Sequence, residues 1–187
     1  MSSTRPAPPA HAKPESKRRR RRSGGNVLLG VFGTALILSG AIVLAMSLLA
    51  PTTVERGYGQ VKAAVNDVAA EVQLPAVRLG VEGAQAELDE CDGSFIEMTS
   101  YRNTVGVPAV YAAHNNCGGD IVLNWEVGTQ LEVEGLPGTY EVVDVRHTAK
   151  HWETTEALIG LQGDFALQSC FYGEDRMQFV GIRPITG

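Results

Sequence analysis

The chain has 187 residues, with 16 basic and 21 acidic side chains and a net charge of −5, which leaves room for one domain of ordinary size plus appendages. Eight of the basic residues fall within the first 26 against one acid, Glu15, so this arm carries +7 and the remainder −12. Such a split argues against a single evenly charged globule, and the acidic remainder argues against binding nucleic acid or another polyanion by charge alone.

Residues 1–26 are rich in Pro, Ser and Ala, show no apolar periodicity and carry the run KRRRRR at 17–22; they read as a disordered basic tail. Residues 27–50 carry no charge. At about 1.5 Å per residue a helix of that length crosses a hydrocarbon core of about 30 Å, and it is longer than the apolar core of a cleaved signal peptide. The arginines in front of it place the tail in the cytoplasm and everything after residue 50 outside the cell membrane. In residues 51–75 the positions Val54, Tyr58, Val61, Val65, Val68 and Val72 alternate spacings of four and three, the pattern of a helix with one apolar seam, ended by Pro75. The seam predicts a stalk helix lying against its own domain; pairing with a second copy into a weak homodimer is the alternative.

Residues 76–187 change character. FIEMTS, AVYAA, DIVLNW, QLEVEG, TYEVVDV, FALQSC and RMQFVGI are short apolar or alternating runs between turn residues, and each predicts a strand. The LPG between QLEVEG and TYEVVDV suits a tight hairpin, and HTAKHWETTEALIGLQGD predicts a loop with a helical turn. The expected class is all-β, a small closed barrel or sandwich with short helices behind a single N-terminal transmembrane helix.

The three cysteines follow from that topology. Cys91 in ELDECDGS and Cys117 in HNNCGGD lie in polar, Gly-containing loops where a bridge distorts no strand, and a disulfide there is worth about 3 kcal/mol in the chain-entropy picture. Cys170, at the end of a strand, is then the free thiol. His114 leaves the AVYAA strand for a loop, and Arg176 opens the last strand. A cysteine, a histidine and an arginine at strand boundaries supply a thiolate, a proton carrier and a cation for acyl transfer. A zinc site on His114 with Cys117, or on His147 with His151, lacks a second tight pair, so no metal is expected. No Gly-rich phosphate loop and no G-x-S-x-G motif is present, and no cofactor is expected.

AAHN at 112–115, LQSC at 167–170 and RMQFV from Arg176 together resemble sortases, in which a histidine follows a core strand, a cysteine ends another and an arginine opens the last. The resemblance covers roughly residues 92–185. Ala113 and Asn115 stand where that family usually has Gly and Arg, Ser169 stands for Thr, and the interval from Cys170 to Arg176 is short. The resemblance implies a closed sortase-like β-barrel with His114, Cys170 and Arg176 as catalytic residues. It further implies that a secreted protein with a C-terminal sorting signal of the Leu-Pro-x-Thr-Gly kind is cleaved through a thioester and passed to an amine of a peptidoglycan precursor or a pilin. The contrasting expectation is a membrane-anchored module that keeps the barrel for binding alone.

Overall fold

The computed structural model describes residues 24–70, 73–151 and 154–185, with side chains from residue 30 onward except that of Ala70. The basic tail and Val72 of the seam lie outside these residues. Contacts divide the chain into a unit up to Ile42 and a second from Val43 to Gly187.

Helix α1, Gly24–Leu49, is long and apolar enough to cross a membrane. Its few hydroxyls are satisfied within the helix: Thr34 Oγ1 donates to the Gly30 carbonyl at 2.8 Å and Ser47 Oγ to that of Val43 at 2.8 Å. Polar side chains can enter hydrocarbon on those terms.

The second unit holds helix α2, Pro51–Ala70, the short helix α3, Gln85–Asp89, and eight strands: β1 Ala76–Val77, β2 Leu79–Gly83, β3 Phe95–Met98, β4 Ala109–Ala112, β5 Gln130–Val133, β6 Thr139–Thr148, β7 Phe165–Cys170 and β8 Met177–Pro184. They form one sheet in the order β1-β5-β6-β8-β7-β4-β3-β2. The two edge strands are consecutive in the chain. Pro75 and Val77 offer their carbonyls to Glu132 and Glu134 beside β5, while Arg78 offers its own to Phe95 of β3. One extended run therefore bridges both edges, and the sheet is a nearly closed barrel.

Alternation along the strands builds two apolar layers. Val77, Leu131, Val142, Phe165, Leu167, Val180 and Ile182 fill one, with Trp125. Val110, Leu158, Leu161, Ala166 and Phe179 form the other, on the opposite face of β4, β7 and β8. Large side chains this deeply buried contribute about 1.5–3 kcal/mol each, so these layers fix the strand register.

Three expectations change. DIVLNW is not a strand: Gly119–Asn124 is 3-10 helix, held from afar by Gln178, whose Nε2 donates to the carbonyls of Val122 at 2.6 Å and Trp125 at 3.2 Å. The run 76–83, not expected as strand, closes the barrel. Helix α2 does lie against its own domain, but only the start of its seam takes part: Val54 is half-buried and the Tyr58 ring packs edge-on against Tyr172 at 5.4 Å, while Val61, Val65 and Val68 are exposed. The rest of the docking is polar, through Lys62 to Asp120, Asp67 to Asn124, and Arg56 Nε to the Gly173 carbonyl at 3.1 Å.

Candidate active site

The predicted residues lie at one end of β4, β7 and β8, His114 and Cys170 on one face and Arg176 turned to the other. Strands β4 and β7 run parallel, with Ala112 opposite Gln168. Just beyond that pair the Ala113 N–H donates to the Gln168 carbonyl at 3.1 Å, and Ser169 Oγ donates to the Ala113 carbonyl at 2.9 Å. Two residues past Ala112, in extended backbone, comes His114; two past Gln168 comes Cys170. Alternation thus puts both side chains level and on the same face of neighbouring strands. Ser169, fully buried, faces the other way and fastens the two strands there.

Cys170 is half-buried and free. Burial pushes its thiol up, opposed by the Lys150 ammonium and by a hydrogen bond from Gln168 Nε2 at 3.7 Å. Lys150 Nζ donates to the carbonyl of Phe171, the next residue, at 3.2 Å. Tyr101 lies on the same side: burial raises its phenol first, and a charge on Cys170 would raise it further. A cavity of about 120 Å³ opens beside it, lined by Ser100, Tyr101, Thr148, Thr154, Thr155, Leu158, Met177 and Phe179. Met177 is the cross-strand partner of Cys170.

His114 is half-exposed, and its Nε2 lies 2.7 Å from Asp89 Oδ1. Asp89 belongs to α3, at the start of the loop that the Cys91–Cys117 disulfide ties to the His114 loop. The expected bridge is present. Because Cys117 is bonded to Cys91, it offers no thiolate beside His114. His147 Nε2 pairs with Gln178 Oε1 at 2.9 Å and His151 Nδ1 with Asp175 at 2.7 Å. Among the described residues no group of three side chains could hold a metal.

Arg176 is at the same rim but turned to the other face. Since Cys170 faces Met177, the next pair outward is Phe171 with Arg176, joined by a 3.0 Å backbone bond, and its side chains point oppositely. The guanidinium lies over the Phe171 ring at 3.7 Å, and its Nε donates to Glu174 at 2.9 Å. It lines a larger cavity, about 240 Å³, between α2 and the β7–β8 turn; neither His114 nor Cys170 lines that cavity. The cation on the thiol's side is Lys150.

Sequence reasoning missed Asp89, Lys150 and the fastening role of Ser169. A signal existed for Asp89, because a bridge at Cys91 brings the acid two residues earlier toward His114. None existed for Lys150, which reaches the site only through the bend after β6. Compared with known proteins, the chain matches no family model, no curated protein and no solved structure.

Proposed function

We propose that this chain is a membrane-anchored, sortase-like cysteine transpeptidase. The observation that supports the reading is the parallel pairing of β4 with β7, which ends at Ala112 with Gln168, two residues before His114 and Cys170 respectively. The neutral His114 takes the Cys170 proton as Sγ attacks a peptide carbonyl carbon. The imidazolium then gives that proton to the leaving amine as the C–N bond breaks and a thioester remains. An incoming amine attacks the thioester, loses its proton to His114 and releases Sγ.

Arg176 is the proposed donor to the developing oxyanion. To serve it must leave Phe171 and Glu174, part-buried contacts that are worth about 1–2 kcal/mol each. Substrate binding can supply that much. The substrate is a secreted protein with a C-terminal sorting signal, whose side chains enter the Thr-lined cavity. The acceptor is an amine of a peptidoglycan precursor or a pilin. Helix α1 is the anchor, with the basic tail cytoplasmic and the barrel outside, a side on which the Cys91–Cys117 disulfide persists.

The test is turnover of a fluorogenic sorting-signal peptide, with triglycine as acceptor, by the full chain in detergent micelles. Cys170→Ala and His114→Gln should each abolish transfer while the circular dichroism spectrum is unchanged. Transfer at the wild-type rate by Cys170→Ala would end the nucleophile role of Cys170, and a wild type without transfer would leave a binding module as the better account.

A further inference from the structure

We propose that Asp89 orients the His114 imidazole and that the Cys91–Cys117 disulfide is the staple holding this pair together. The consequence for catalysis rests on the transpeptidase reading, whereas the pair itself rests on geometry. Asp89 Oδ1 lies 2.7 Å from His114 Nε2, and a carboxylate only accepts, so Nε2 carries the proton. Nδ1 is then left to exchange a proton with the reacting groups. Gln85 Nε2 donates to the same oxygen at 2.7 Å. These two hydrogen bonds, that of His114 first, hold the Asp89 carboxyl below the usual carboxylate range.

Little else keeps Asp89 there. It is the last of the five residues of α3, none of them buried, and a helix so short does not persist by itself. The Ala84 N–H donates to Glu87 Oε2 at 2.7 Å, tying the helix start, and Arg78 Nη2 donates to the Asp92 carbonyl at 2.6 Å, tying the chain beyond it. Neither contact reaches the His114 loop. The disulfide does: Cys91 follows Asp89 by two residues, Cys117 follows His114 by three, and their Cα atoms are 5.1 Å apart. Cys91 also takes a left-handed backbone at φ 56°, alone among the described non-glycine residues, a conformation that surrounding constraint must hold.

Reduction unties the pair. An external dithiol delivers two electrons and two protons to the S–S bond, giving two thiols and the oxidised, cyclised dithiol. The site then keeps Cys170 and His114 but loses the carboxylate that selects the tautomer.

Nitrogen-15 NMR of the full chain in detergent micelles, labelled in the histidine rings, reads that tautomer directly, with His114 assigned by His114→Gln. The wild type should show the Nε2–H form. Asp89→Ala, the Cys91→Ser/Cys117→Ser double variant and the dithiol-treated wild type should each show the tautomer mixture of free histidine. Identical ring shifts in all of these would overturn the proposal, and a change in Asp89→Ala alone would overturn the role of the staple. In peptide turnover, Asp89→Ala should lower kcat about tenfold with KM within about twofold. That is well short of the loss of a buried orienting carboxylate, because the Asp89 side chain is 57% exposed. An unchanged kcat would overturn the catalytic role. A wild type with no turnover would end the transpeptidase reading, while the ring shifts still decide the pair.

Discussion

Burial lifts the Cys170 thiol above its ordinary value, so the neutral thiol is favoured over the thiolate in the resting site. The sequence alone suggests a nucleophile helped by ionisation; the folded site implies one that is deprotonated during attack. Alkylation of the resting full chain by iodoacetamide should therefore keep rising with pH through neutrality and into the range where an ordinary thiol ionises. Lys150→Met removes the ammonium that favours the thiolate and should slow alkylation about threefold across that range. A plateau below pH 8, or no effect of the substitution, would contradict this account of the thiol. Arg176→Lys keeps the charge but loses the planar fork. If the guanidinium swings to the oxyanion, turnover should fall about a hundredfold. Turnover within about threefold of wild type would confine Arg176 to its stack on Phe171.

At the scale of elements, the site depends on how tightly the His114 loop is drawn against β7. Gly119, whose N–H donates to the His114 carbonyl at 3.0 Å, has no room for a side chain: a Cβ there would run into the Ala113 carbonyl and come within 2.7 Å of Ser169 Oγ. Backbone cannot give way as a flexible side chain can, so Gly119→Ala should cost about 1–3 kcal/mol in thermal unfolding and lower turnover with it. Wild-type stability would show that the loop is looser than described. Much of this architecture is legible in the sequence. FIEM, AVYA, QLEV, FALQSC and MQFVGI are strands because local alternation and turn residues decide them, and Cys91 with Cys117 could be paired from loop composition. DIVLNW could not be read correctly, because its 3-10 turns are completed by the amide of Gln178, more than fifty residues away. The run 76–83, broken by Arg78 and Gly80, is strand only because two sheet edges await it. The level placement of His114 and Cys170 needs the parallel pairing of β4 with β7, which no local pattern states. The opposite turn of Arg176 follows from the β7–β8 register, in which Cys170 faces Met177, and the interval from Cys170 to Arg176 alone does not state it.

At the scale of the whole molecule, α2 joins the apolar helix to the barrel unit, and beside the Tyr58–Tyr172 contact its hold is polar. Lys62 Nζ is 2.7 Å from Asp120 Oδ2, and that carboxylate side chain is 5% exposed. Burial works against the Lys62 ammonium, but the hydrogen bond and charge of Asp120 hold it above its ordinary range. Lys62→Met would leave Asp120 buried without a counter-charge. Breaking a fully buried pair costs about 3–5 kcal/mol, and the partial exposure of Lys62 reduces that to about 2 kcal/mol, visible as a lower Tm of the full chain in micelles at pH 7. An unchanged Tm would mean that the Lys62–Asp120 pair contributes nothing to the hold of α2 on the barrel. The central claim is that Cys170 forms a thioester with a sorting-signal peptide, and intact-mass spectrometry of the full chain incubated with a panel of such peptides tests it most directly. The account predicts an acyl adduct that maps to Cys170, is absent from Cys170→Ala and is released by added triglycine. A protein that gains no mass from any peptide, although its thiol reacts with a small methanethiosulfonate reagent, would contradict it.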